Sequence, residues 1–196
     1  MSWYVYLVIG VVVVLVIVGA VAAAMRRRTD RLRTTFGPEY DRTVAAAGGD
    51  QMRAERELSG RMQRRKQLQI LELSEAARGE YRARWQQIQA AFVDEPAQSV
   101  RDADALIGKV MSDRGYPAAD FDQRAADLSV DQANVVEGYR SAHAVLAGSG
   151  DGEVPTEDLR RAMTQFRALF DALVAPAAPA GDGGARATQR PGAVLR

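Results

Sequence analysis

Apolar residues follow two regimes along this chain. From Trp3 to Met25 the segment WYVYLVIGVVVVLVIVGAVAAAM contains 23 residues and no charge, and as a helix it is apolar on every side. After Met25 every stretch of comparable length contains charged residues, and apolar residues recur at steps of three and four. The first regime predicts a helix in lipid. At 1.5 Å per residue the segment reaches roughly 34 Å, enough to cross a hydrocarbon core of roughly 30 Å. Its many valines are tolerated there, because in lipid the backbone must satisfy its own hydrogen bonds and helix is the available solution.

The second regime predicts amphipathic helices. Residues 26–35 are polar and basic and continue the first helix for about two turns, until Gly37-Pro38 interrupts it. Pro38 suits the first turn of a short helix, with Glu39 and Asp41 near its positive end. Gly48-Gly49 ends that helix, and Asp50 suits the N-cap of a long polar helix over 50–71 with Met52, Leu58, Met62 and Leu68 unevenly spaced along it. Over 74–93, capped by Ser74, Ala77, Tyr81, Trp85, Ile88 and Phe92 form one apolar face, which predicts a helix central to the core. Pro96 opens a helix with Val100, Ala103, Ile107 and Val110 inward, and Arg114-Gly115-Tyr116-Pro117 stops it.

A short helix is predicted around Phe121, Ala125 and Leu128. Ser129 or Asp131 is expected to cap the next, through about Ala147, with Val135, Tyr139, Ala142 and Leu146 inward. Gly148 to Gly152 predicts a flexible loop. Thr156 is the expected N-cap of a last helix with Leu159, Met163, Phe166, Phe170 and Leu173 on one face. No segment alternates as a strand does. The expected fold is all-α: an N-terminal transmembrane anchor (1–25), a basic juxtamembrane segment (26–35), a soluble domain (36–174) built as a bundle of five or six helices, and an Ala/Pro/Gly-rich tail (175–196) expected to be disordered.

Charge sharpens this division. The formal net charge of +1 hides a strong asymmetry. Residues 26–66 carry 12 basic and 6 acidic side chains, whereas 67–174 carry 11 basic and 18 acidic. The protein is basic beside the apolar run and acidic beyond it, which bears on partners rather than on fold. Trp3, Tyr4 and Tyr6 stand at one end of the run, and Arg26, Arg27, Arg28, Arg31 and Arg33 at the other. Aromatic rings favour the headgroup level and arginines the cytoplasmic side. These eight residues are the expected membrane-interface set, with the N-terminus outside, the domain cytoplasmic, and anionic lipid headgroups as partners of the basic cluster. The rival reading is an export signal cleaved within Ala20 to Ala24. The positive charge lies after the apolar run rather than before it, which argues against a signal.

Little in the chain points to catalysis. With no cysteine, disulfides, thiol nucleophiles and cysteine-held metals are excluded. His143 is the single histidine, so no multi-histidine metal site is possible, and its place beside an apolar helix face suggests packing. Asp102 and Asp104 are two apart and do not share a helix face. Asp120, Asp122 and Asp127 read as a solvated acidic surface. Gly148 to Asp158 lacks the ordered oxygen ligands of a calcium loop. No phosphate-binding loop or nucleophile elbow is present. The block Arg61, Arg64, Arg65, Lys66 alternates with acids upstream, so nucleic acid is an unfavoured partner. No cofactor, metal or catalytic residue is expected.

The anchor, the arginine cluster, Arg33-Thr-Thr-Phe-Gly-Pro-Glu-Tyr-Asp-Arg42, Tyr81…Trp85-Gln-Gln-Ile-Gln89, Phe92-Val-Asp-Glu-Pro96, Val110-Met-Ser-Asp-Arg-Gly-Tyr-Pro117 and Val136-Glu-Gly-Tyr-Arg-Ser-Ala-His143 follow one another in an order that resembles uncharacterised single-pass membrane proteins of high-GC actinobacteria. The resemblance spans roughly residues 1–174. It implies a single-pass membrane protein and no activity. The functional expectation is a membrane-tethered helical scaffold or adaptor that recruits a protein partner. The alternative is a membrane-anchored sensor or regulator that binds a small molecule between helices, with an enzyme a distant third.

Overall fold

A computed structural model describes residues 3–117, 120–148 and 154–176, without the side chains of Val5 and Tyr6. The described residues are all helical, in eight helices with no strand: α1 (Trp3–Phe36), α2 (Pro38–Ala46), α3 (Gln51–Gln67), α4 (Glu75–Ala91), α5 (Pro96–Asp113), α6 (Phe121–Asp131), α7 (Ala133–Ala147) and α8 (Thr156–Val174). Seven helices follow α1, where five or six were expected. Each of the seven corresponds to a segment read individually from the pattern, the short α2 and α6 included, so it is the total of five or six that was too low. The expected Gly148–Gly152 loop and the tail fall, apart from Gly148, Ala175 and Pro176, outside the described residues.

The caps explain most of the boundaries. Asp50 accepts a hydrogen bond from the Arg53 amide at 2.9 Å, and Ser74 accepts from the Ala77 amide at 3.1 Å, as expected. Asp120, read as a solvated acid, is exposed and also caps α6 through the Gln123 amide at 2.8 Å. Two expected caps are not caps. Ser129 lies buried inside α6, its hydroxyl donating to the Ala126 carbonyl, and α6 runs on through Asp131 to a break at Gln132. Thr156 is the first residue of α8, where Pro155 holds the cap position and no side chain caps. The long polar helix stops at Gln67 rather than at 71, because the chain from 68 to 74 leaves to follow the end of α5. There the Leu71 amide donates to the Arg114 carbonyl at 2.8 Å. Gly115, at φ +87°, makes that contact possible, since a Cβ there would sit 2.4 Å from the Gln69 carbonyl oxygen.

The main core lies distal to α1, between α4, α5, α7 and α8. Trp85 stacks on Phe170 with ring centroids 4.6 Å apart, and Tyr139 packs against Phe166 at 5.9 Å. α8, rather than α4, is its centre. The buried stripe of α8 includes Leu159, Ala162, Met163, Phe166, Leu169, Phe170 and Leu173, wide enough to serve both α5 and α7. α4 buries only Trp85 and Ile88 and flanks α5.

A second, smaller core holds Leu32, Phe36, Tyr40 and Leu58, with Val44, Met62 and Val130 against it. Leu32 is 3% exposed and Phe36 0%. The last two turns of α1 are thus packed into the domain, and no linker separates the apolar run from the fold. At 1.5 Å per residue this unbroken helix of 34 residues is roughly 51 Å long.

Candidate membrane-proximal site

The apolar part of α1 touches nothing else. Its large side chains from Leu7 to Val21 stand about half exposed, none buried, on a helix long and apolar enough to cross a membrane. Trp3 and Tyr4 meet edge-to-face at its start, 6.4 Å apart and both exposed. The Tyr6 side chain lies outside the described residues.

The five arginines after Met25 divide into two groups. Arg26, Arg27 and Arg31 are exposed. Arg28 and Arg33 are exposed as well but also make contacts within the fold: Arg28 donates to the Ser59 hydroxyl at 2.9 Å, and Arg33 lies over the Tyr40 ring, 5.1 Å from its centroid. The second group ties α1 to the domain. A carboxylate reinforces the tie: Glu55 accepts from Thr29 at 2.6 Å, from Gln51 at 3.0 Å and from Tyr40 at 3.1 Å. Partial burial pushes the Glu55 carboxyl up, but those three donors and the charge of Arg28 outweigh it and hold it below the ordinary value.

Beneath this clamp lies a buried ionic network that the sequence pattern did not reveal. Glu39, 1% exposed, faces Arg61 at 3.4 Å and Arg140 at 3.1 Å. Both guanidinium side chains are nearly buried, and α2, α3 and α7 meet on this one carboxylate. Arg61 also reaches Glu57 and the Ser129 hydroxyl, and Arg140 reaches the exposed Asp122 at 3.6 Å. Nearby, Asp131 accepts from Arg65 and from the Tyr116 hydroxyl, the latter at 3.0 Å. Burial and the Asp131 charge push that hydroxyl up to about 12. Asp127, read as a surface acid, is 3% exposed. Burial raises its carboxyl, against the opposing Gln123 hydrogen bond and the charges of Arg64 and Arg61. Its place on the inner side of a short helix was hidden by the acids at 120 and 122.

Three open clefts indent the domain. One of about 410 Å³ borders the network and is lined by Arg42, Arg61, Arg64 and Arg140 together with Glu57, Asp120 and Asp122, so its cations largely find their counter-charges within it. One of about 800 Å³ runs between α4 and α5. The third, about 590 Å³, lies between α5 and α6 over Gly108 and Met111. Its walls hold Asp104 and Arg124, whose buried Oδ1 and Nε atoms lie close to the buried Tyr139 hydroxyl without a well-formed hydrogen bond. His143 stacks on Phe121 with centroids 3.6 Å apart, a packing role. Among the described residues no group of three or more acids or His is placed to hold a metal. Much of the calcium-loop candidate, residues 149–153, lies outside them.

The chain matches no family model, no curated protein and no solved structure.

Proposed function

We propose that this chain is a single-pass membrane protein, N-terminus outside, whose helical domain is mounted on the cytoplasmic face as a scaffold that recruits a protein partner. The observation that carries this reading is the continuity of α1: an apolar stretch with no buried side chain passes without a break into two turns packed on a folded domain through Leu32 and Phe36. Water rejects the first part, at about 25 cal/mol per Å² of apolar surface, so a bilayer is its natural surrounding. Arg26, Arg27 and Arg31 remain exposed for the cytoplasmic headgroups. A protease acting on the C-terminal part only after cells are opened is the expected topology result. Digestion by protease added outside intact cells overturns the orientation, and a protein recovered free of its first 24 residues supports the cleaved-signal alternative. For the scaffold role, cross-linking followed by affinity purification from native membranes is expected to return a reproducible protein partner. Its absence, under conditions that recover known membrane complexes, counts against a scaffold.

A second reading, a membrane-anchored small-molecule sensor, is favoured by the α5–α6 cleft. Asp104 and Arg124 offer opposite charges there, each with a buried atom that makes no well-formed hydrogen bond beside the Tyr139 hydroxyl. Such atoms are costly to bury and invite a polar ligand or water. A ligand stabilising the wild-type domain in a thermal-shift screen, but not an Asp104→Asn variant, supports the sensor. Equal shifts in both count against this cleft.

A further inference from the structure

Resting on the reading of α1 as a membrane span, the path of α2 and α3 points to a second membrane contact. Thr29 on α1 hydrogen-bonds Glu55 on α3. Further along, Leu32 and Phe36 share one cluster with Leu58 and Met62. With α1 and α3 each packed on α2, which lies between the glycine turns at 37 and at 48 and 49, this places α3 beside α1 in the same direction. The longer Arg28 side chain reaches down α3 to Ser59. α2 comes back between them. It leaves the Gly37 turn (φ +49°) with Arg33 over Tyr40, and Glu39 meets Arg61 near the far part of α3. The turn joining α2 to α3, Ala47 to Asp50, therefore lies back at the end of the domain that faces the apolar run.

Helical rise sets the level. Met25 lies about 6 Å before Thr29, and Met52 about 4.5 Å before Glu55. Since Thr29 and Glu55 touch, Met52 and Met25 sit within one helical turn of the same depth. Both are exposed thioethers, Met52 at 69% and Met25 at 62%. A bare methionine is costly in water and ordinary at a bilayer boundary. Arg53, and Arg56 one turn beyond Met52, are exposed and add to the charge of Arg26, Arg27 and Arg31, while Asp30 and Asp50 oppose it. The balance at this end is cationic, which suits an anionic bilayer surface.

We propose that the α2–α3 turn and the start of α3 form an interfacial foot, which seats Met52 at headgroup depth in the membrane that α1 crosses. The domain then stands on two points, one spanning and one shallow, and cannot swivel freely about α1. A partner would meet a fixed face of it.

The absence of native cysteine makes the test simple. Ile9→Cys, Met52→Cys and Val93→Cys variants of the full chain are labelled with an environment-sensitive fluorophore and placed in nanodiscs of phosphatidylcholine and phosphatidylglycerol. Lipids carrying a quencher at headgroup depth are then added. Val93, 84% exposed in the turn after α4, reports water. The foot predicts blue-shifted emission and headgroup quenching at 52, and neither at 93. Quenching by acyl-chain quenchers at 9, with 52 behaving like 93, overturns the foot and leaves the span intact. Loss of lipid quenching at 9 overturns the span itself. A blue shift at 52 without lipid quenching assigns Met52 to a protein contact, such as a second copy, and also overturns the foot.

Discussion

The distal core and the membrane-proximal module are held together by different physics. The distal core, built on α4, α5, α7 and α8 with Leu73, Tyr116 and the Ala125 and Leu128 of α6, is apolar and aromatic, with Trp85 stacked on Phe170 and more than twenty buried hydrophobic residues in one cluster. The proximal module, the end of α1 with α2, α3 and the polar side of α6, buries only four hydrophobic residues in its own cluster and adds an ionic hub at Glu39. An apolar core draws its stability from area and tolerates approximate shape. A buried ion pair gains less and depends on every partner being present. The division makes sense for a mount: a charge-paired joint specifies one seating of the domain on its helix, while the stability is supplied elsewhere.

The strongest way to break the contrast is in the distal core. Phe170→Ala, at a site 1% exposed and stacked on Trp85, is expected to cost about 3–5 kcal/mol and to lower the melting temperature of the whole domain. Glu39→Ala attacks the joint. It leaves Arg61 and Arg140 without their shared carboxylate, at an expected cost of about 3 kcal/mol, the low end for a buried pair because Glu57 and Asp122 remain as partners. Chemical denaturation of both variants gives the comparison. The sharper version replaces all three charges with apolar residues, Glu39→Leu, Arg61→Met and Arg140→Leu. Near-wild-type stability with a changed seating on α1 is expected if the hub specifies rather than stabilises.

Capping gives a smaller test. Asp50→Ala and Ser74→Ala remove one N-cap from each region, and each is expected to cost about 1 kcal/mol. Hydrogen exchange should place the first loss in α3 and the second in α4. The smallest effect is a pH dependence with opposite signs inside the proximal module. Asp127 has a raised folded value, so between its ordinary and its folded value the native state holds the proton more firmly, and stability falls as pH rises. Asp127→Asn is therefore expected to raise the melting temperature at neutral pH and to have no effect in acid. Glu55 has a lowered value, so its stabilisation is present above the ordinary carboxylate range and is lost as pH falls through the folded value. Glu55→Gln is expected to lower the melting temperature at neutral pH and to converge on wild type in acid. Melting curves across that range separate the two.

The same contrast explains what was legible in the sequence. α5 and α8 were readable because their apolar residues recur at steps of three and four, and the stops at Gly115 and the cap at Ser74 lie within a few residues of what they terminate. The proximal module was not readable in this way. Arg61 and Arg140 look like any solvated helix cation, and Glu39 looks like a favourable first-turn acid. Only folding across a hundred residues of chain brings them together. Leu32 and Phe36 are too sparse among arginines and threonines to signal burial, so the polar stretch after the apolar run concealed a packed helix end. Of the interface set, Arg28 and Arg33 are exposed yet also touch the domain: an arginine's length lets it satisfy a neighbouring helix or ring as readily as a headgroup.

Whether the domain is fixed to α1 can be measured through one distance. Spin labels at Ala22→Cys in the apolar run and Gln63→Cys on α3, in full-length protein reconstituted in nanodiscs, report it by pulsed electron resonance. A single narrow distribution, broadened by Glu39→Ala, is the expected result. A broad distribution in the wild type, like that of a domain on a flexible leash, would mean that α1 does not continue into the fold as a rigid mount.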